Sequence, residues 1–187
     1  MQETTDPRQL LANIAKILKD LKISYIVTGG IAVLLWGRPR FTADIDIVIE
    51  LSTNDLNKLR IALKGLGKTG YIDKKTMDDA VRNKGEFNFI HGNTGVKVDF
   101  WVMQNTAFDL SRMRRKVYRT ILGEKISFSS PEDLILIKLF WAKESLSTRQ
   151  LEDAESIMQI SGKKLDKRYL MLWSKKLGVA KILNKII

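Results

Sequence analysis

Cysteine is absent from the 187 residues, so neither a disulfide framework nor a thiolate metal centre can form, and a secreted disulfide-rich miniprotein is excluded. Histidine occurs once, at His91, so a Ser-His-Asp mechanism would hang on that residue, and no serine stands in a nucleophile-elbow context. No GxxxxGK[ST] run is present, which removes a P-loop. No apolar run approaches the ~18 residues of a spanning helix. The start Met1-Gln2-Glu3-Thr4-Thr5-Asp6 has neither a basic nor an apolar leader region, so a cytoplasmic protein with no membrane partner is expected. Repeats and low-complexity segments are also missing, and no composition shift marks a linker.

Among what is present, Asp44 and Asp46 stand out in the run Ala43-Asp44-Ile45-Asp46-Ile47-Val48-Ile49-Glu50. Polar and β-branched residues alternate there, so the run reads as a strand with both carboxylates on one face. Two unit charges about 5 Å apart repel by roughly 3 kcal/mol at an effective dielectric near 20. A divalent cation, Mg²⁺ or Mn²⁺, is the expected compensator, and such cations are commonly shared with substrate phosphates. Upstream, Ser24 to Thr28 reads as a strand that runs through Gly29-Gly30 into a short apolar helix ending before Gly37. Strand, double glycine and helix can cradle phosphate or simply make a tight turn.

Asp99 lies in a second alternating strand, Val96 to Val102, paired with Glu86 to His91 across a Gly92-Asn93-Thr94-Gly95 turn. There it either meets a lysine, with Lys97 on the same side, or joins Asp44 and Asp46 at a metal. Ser130-Pro131-Glu132-Asp133 signals a helix start, and Lys138 is the only charge in the apolar run that follows. It either snorkels or points into a polar cleft. Trp101, Trp141 and Trp173 read as core residues.

Thr28-Gly29-Gly30, a spacer, Asp44-Ile45-Asp46 and Val98-Asp99-Phe100 together resemble the polymerase-β-like nucleotidyltransferase superfamily. Gly37 to Asp46, read as Gly-Arg-Pro-Arg-Phe-Thr-Ala-Asp-Ile-Asp, is similar to the AbiEii-like toxins of type IV toxin–antitoxin systems. The resemblance implies an α+β fold, with a nucleotidyltransferase-type mixed sheet flanked by helices and an α-helical carboxy-terminal part. It implies transfer of a nucleoside monophosphate from an NTP to an acceptor hydroxyl on an RNA such as tRNA, or on a protein, and a cognate antitoxin as partner. Asp44, Asp46 and Asp99 would then be catalytic and hold the metal. Gly29, Gly30, Arg38, Arg40 and Lys138 would bind nucleotide, and Lys138 would also be catalytic. The family's last motif, a basic residue and acids, falls on Arg149 to Asp153. Gln150 replaces one acid, and Asp153 is either a catalytic residue or half of an i,i+4 surface pair with Arg149. Two other readings share these motifs: a non-catalytic nucleotide- or RNA-binding module, and an aminoglycoside-type adenylyltransferase.

The expected layout is a catalytic part over residues 1–129 and a helical part over 130–187. Strands are expected near 24–28, 44–50, 86–91 and 96–103, with helices near 8–21 and 53–65. The net charge is +11, and residues 104–187 hold 17 basic against 9 acidic side chains. A basic surface including Arg112, Arg114, Arg115, Lys116 and Arg119 would suit RNA, or be a solvated helix face.

Overall fold

Asp6 caps the first helix by accepting from the Arg8 backbone N–H, and Pro7 occupies the position where a missing donor costs nothing. This helix, α1 (Pro7–Asp20), turns Leu10, Leu11, Ile14 and Leu18 inward. The computed structural model describes residues 6–67 and 69–187, so the leader reading of residues 1–5 lies outside the described residues. The chain continues through β1 (Tyr25–Thr28), α2 (Gly29–Trp36), β2 (Ile45–Ile49), α3 (Thr53–Lys64) and α4 (Lys74–Asn83). Next come β3 (Glu86–Ile90), β4 (Lys97–Val102), α5 (Ala107–Arg114), β5 (Val117–Ile121) and β6 (Glu124–Phe128). The helices α6 (Pro131–Ser145), α7 (Thr148–Ser161), α8 (Lys167–Lys176) and α9 (Ala180–Leu183) complete it.

The six strands form one mixed sheet in the order β3-β4-β2-β1-β6-β5. β2 runs parallel to β4 and antiparallel to β1, which puts the acidic strand at the centre. Strand alternation sorts the side chains. Val27, Ile45, Ile47, Ile49, Phe87, Phe89, Val98 and Phe100 form the main core with α1, α3 and α4. On the opposite face Ile26, Val48, Met103 and Met113 make a smaller cluster against Trp101. The rest of that face, at the Thr28 end, is polar.

Helix α6 packs against both α7 and α8, and their buried residues join the same main core as the sheet. A buried polar network ties α5, α6 and α8 together. Tyr169 donates to Asp133 at 2.6 Å, Ser130 donates to its other oxygen at 2.7 Å, and Arg115 donates to Glu132 at 3.0 Å. Burial raises the Asp133 pKa above the usual carboxylate value despite those hydrogen bonds.

The four expected strands and the helices near 8–21 and 53–65 are present. The hairpin β5–β6 and the helix α4 are not expected from the sequence, and of α5 only a helix face around Arg112 to Lys116 is. β5 is an edge strand with three consecutive exposed residues, so it shows no alternation, and its turn takes positive φ at Leu122 as well as Gly123, which disguises the turn signal. Of the basic segment, Arg114 and Arg119 are exposed and two others are committed internally. Arg112 is paired with Asp109 at 2.6 Å, and Arg115 is spent on Glu132 and on the Tyr169 ring, 3.9 Å from its centroid. Trp173 is buried as expected, but Trp141 is 40% exposed and Trp101 half-buried beside it. Among the described residues no helix is long and apolar enough to cross a membrane.

Candidate active site

The register of the sheet builds the acidic centre. Asp46 has Thr28 on β1 and Asp99 on β4 as its direct neighbours, and Asp44 lies two residues earlier on the same face. Adjacent strands are about 4.8 Å apart, so Asp46 and Asp99 hold their carboxylates side by side. Lys97, two residues before Asp99 on β4, reaches into the group with Nζ 2.8 Å from Asp99 and 3.9 Å from Asp44. The hydrogen bond to Asp99 raises the Lys97 pKa. Lys97 and Asp99 therefore do pair, and they do so within the acidic centre.

Burial pushes the Asp46 carboxyl above its ordinary value, and the charge of Asp99 adds to the shift. Lys138 and the Gly30 backbone N–H only partly offset this. The ionised form of Asp46 is thus disfavoured at this centre, by burial first and by the neighbouring acids second. Among the described residues no group of three or more acid, histidine or cysteine side chains has a metal-ready geometry.

The glycines set how closely α2 approaches this centre. Gly29 has φ +61°, and a Cβ there would run into the Asp46 carboxylate. At Gly30 a Cβ would strike the Thr42 side chain. Both positions need the missing side chain, for conformation at the first and for space at both.

Asp153 on α7 organises the opposite wall. It is 3% exposed and takes two hydrogen bonds from Arg40, from Nε at 2.7 Å and Nη2 at 2.8 Å, and an ion pair from Lys138 at 2.9 Å. Burial pushes its carboxyl up, but Arg40 and Lys138 together outweigh that and leave the pKa below the usual range. One carboxylate therefore fastens the loop before β2 and helix α6 to α7. Between this wall and the acids lies a cavity of about 330 Å³, lined by Gly30, Thr42, Asp44, Asp46, Gln150 and the cations Arg40, Lys138 and Arg149, among others.

The fold brings Gly29, Gly30, Arg40, Asp44, Asp46, Asp99, Lys138 and Asp153 together. It sets Arg38 apart: its guanidinium donates to Gln159 at 3.1 Å and its backbone N–H to Ser156, outside the cavity lining. Lys138 neither snorkels nor stands free, since it is buried against Asp153. Arg149 does not pair with Asp153 across one helical turn but donates to the Phe41 carbonyl at 3.2 Å. It lines the cavity with Thr42 and Gln150, whose buried Oε1 has no partner; all three stand in the stretches that carry the family resemblance, which gave none of them a role. A larger surface depression of about 510 Å³ near Gly162 and Asp166 holds no such constellation, and Asp166 is engaged as the cap of α8.

No family model matches the sequence, and no curated protein matches it. Solved structures do. The antibiotic-resistance factor ANT(2″)-Ia matches with a TM-score of 0.58 at 14% identity, over 96% of this chain and 97% of that one. An antigenic nucleotidyltransferase-like protein from Paracoccidioides brasiliensis gives 0.57 at 20% identity, over 81% and 75%. The lincosamide antibiotic adenylyltransferase LnuA gives 0.54 at 16%, over 85% and 99%. The mixed sheet flanked by helices is therefore the α+β fold of the nucleotidyltransferases, with the acidic centre on its middle strands.

Proposed function

We propose that this protein transfers a nucleoside monophosphate from a nucleoside triphosphate to an acceptor hydroxyl, using a divalent cation, Mg²⁺ or Mn²⁺, held by Asp44 and Asp46. The observation that carries the reading is the juxtaposition of Asp46 and Asp99 on paired strands, and of Asp44 just before β2, with a cavity lined by Arg40, Lys138 and Arg149. The donor set fits the cation. Carboxylate oxygens are the ligands hard divalent cations take, and a cation would offset both the burial and the Asp99 charge that raise the Asp46 pKa. Two carboxylates with substrate phosphates completing the shell suit Mg²⁺, which rarely needs an all-protein cage. When bound, the cation neutralises phosphate charge and polarises the α-phosphate.

The protein's own groups do the rest. Gly29 and Gly30 let the backbone at the start of α2 lie close to the phosphates. Arg40, Lys138 and Arg149 supply donors and positive charge to the triphosphate, and Asp153 keeps Arg40 and Lys138 in place. Asp99 faces the acceptor and takes the hydroxyl proton. The acceptor oxygen bonds to the α-phosphorus as the bond to the β-phosphate breaks, and pyrophosphate leaves with the electron pair.

For the acceptor, the toxin resemblance and the net charge of +11 support an RNA such as tRNA, with a cognate antitoxin as partner. A small molecule is the second reading, favoured by the internal commitment of Arg112 and Arg115 and by the likeness to LnuA. Each NTP, labelled at the α-phosphate, is incubated with Mg²⁺, total RNA and small-molecule acceptors. The expected result is transfer of α-label but not γ-label. NTP binding without any transfer would leave a non-catalytic nucleotide-binding module instead.

A further inference from the structure

Two side chains on the cavity lining have nothing to offer a phosphate. The first is Gln150, an uncharged amide where the family pattern has an acid. Its Oε1 is buried without a hydrogen-bond partner, a state rare enough in native interiors to call for an explanation. Thr42, the other uncharged polar side chain of the lining, is already engaged, since its hydroxyl donates to the Asp44 carbonyl at 3.4 Å. The second is Phe41. Its ring is 84% exposed, more than any other aromatic among the described residues. Its backbone is nevertheless held: the carbonyl accepts from Arg40 Nη1 at 3.0 Å and from Arg149 Nη2 at 3.2 Å. The two arginines thus fix an apolar ring at the cavity rather than in the core.

An ionised phosphate carries no donor and would be repelled by an amide oxygen, and it gains nothing from a phenyl face. A ligand that satisfies both residues needs N–H groups and a flat aromatic face, which a nucleobase has and a ribose lacks. Gln150 opens α7 three residues before Asp153, about 4.5 Å along the axis. Asp153 fastens the phosphate cations Arg40 and Lys138, so one helix carries an amide and a charge anchor in succession. The amide sets an acceptor beside a donor, and its broad last torsion lets it present both to a base edge. Adenine matches that pair on both of its edges, N6 with N7 and N6 with N1, whereas the N7 edge of guanine shows two acceptors.

We propose that Gln150 and Phe41 form the base subsite of this cavity and select adenine. The ring stacks on Phe41, Gln150 Oε1 accepts from the exocyclic amine, and Nε2 donates to the neighbouring ring nitrogen. That the ligand is a nucleotide rests on the transfer reading above, while the choice of base rests on these two residues alone.

The test is equilibrium binding to the whole protein, in Mg²⁺ and without acceptor, of ATP, GTP, CTP, UTP and purine riboside triphosphate, which lacks the amine. Inorganic tripolyphosphate serves as the phosphate-only probe. ATP should bind about tenfold or more tightly than the amine-free analogue, as a bidentate amide contact gives. Gln150→Met should erase that preference and leave tripolyphosphate binding unchanged. Its thermal midpoint should not fall, because the Oε1 it removes has no partner. Phe41→Ala, at an exposed position, should weaken every nucleotide about fivefold to a hundredfold, since stacking is tolerant of base identity, and should spare tripolyphosphate. Equal binding of ATP and the analogue, a preference for another base, or a preference that survives Gln150→Met would overturn the subsite and leave the transfer reading standing. So would a Phe41→Ala protein that binds nucleotides as wild type does. Selective ATP binding with no α-label transfer to any acceptor would support the subsite and refute the transfer reading instead. Absence of any nucleotide binding would overturn both.

Discussion

Replacing Asp153 with asparagine tests the central clasp of the cavity wall. The substitution keeps the size and removes the charge, so Lys138, itself 6% exposed, loses its ion-pair partner in the interior. Removing one partner of a buried ion pair costs about 3–5 kcal/mol. Arg40 is a quarter exposed and can rehydrate, and Asp46 offers Lys138 some compensation, which lowers the expectation to roughly 2–4 kcal/mol. At about 2–4 °C per kcal/mol for a chain of this size, the midpoint should fall by roughly 4–16 °C at pH 7. The sign of the pH dependence follows from the depressed Asp153 pKa. Its stabilisation is complete above the unfolded carboxylate value and disappears as pH falls through the lower folded one. The gap between wild type and Asp153→Asn should therefore close in acid. Urea denaturation at pH 7 and near pH 3 measures both, and Lys138→Met with the double variant gives the coupling, expected at about 0.5–3 kcal/mol. A loss below about 0.5 kcal/mol at pH 7, or a gap that persists in acid, would refute the clasp.

Gly29→Ala should cost roughly 1–2 kcal/mol for its left-handed backbone alone, and should lower transfer further because the new Cβ displaces the Asp46 carboxylate. Denaturation midpoints and turnover check the two effects separately, and normal turnover would contradict the close approach. Asp46→Asn should be at least as stable as wild type at pH 7, because the raised Asp46 pKa means that its ionised form penalises folding. The variant's advantage should be absent well below pH 3.8 and grow as pH rises through the folded value; an advantage confined to acid would reverse the sign of the argument. Tyr169→Phe leaves Asp133 with one hydroxyl donor fewer and should cost about 1–3 kcal/mol, and an unchanged midpoint in thermal melts would contradict the buried network.

The acids were legible because strand alternation is a local signal. Period 2 put Asp44 and Asp46 on one face, and Asp99 stood in a second alternating strand that the fold seats directly alongside. Lys138 was legible as a charge without a polar helix face, though its partner was not. Asp153 binds Arg40 from 113 residues away, whereas the sequence suggested Arg149, four residues off. Local spacing shows which residues are within reach along a helix, and it is silent on what the tertiary fold brings closer. Trp141 sits in an apolar run on a helix buried almost all round, and only the packing of α6 over Trp101 reveals that this side chain opens onto the acid-bearing face. Two members of the basic cluster were hidden for the same reason, since Arg112 and Arg115 find acids that no charge count can locate.

Transfer of α-labelled nucleotide by Asp46→Asn, compared with wild type in the presence of Mg²⁺ and alongside both thermal midpoints, tests the acidic centre most directly. The account predicts label transfer by the wild type, its loss on adding a chelator, and none by the variant at an equal or higher midpoint. Transfer by a folded Asp46→Asn protein at the wild-type rate would contradict it.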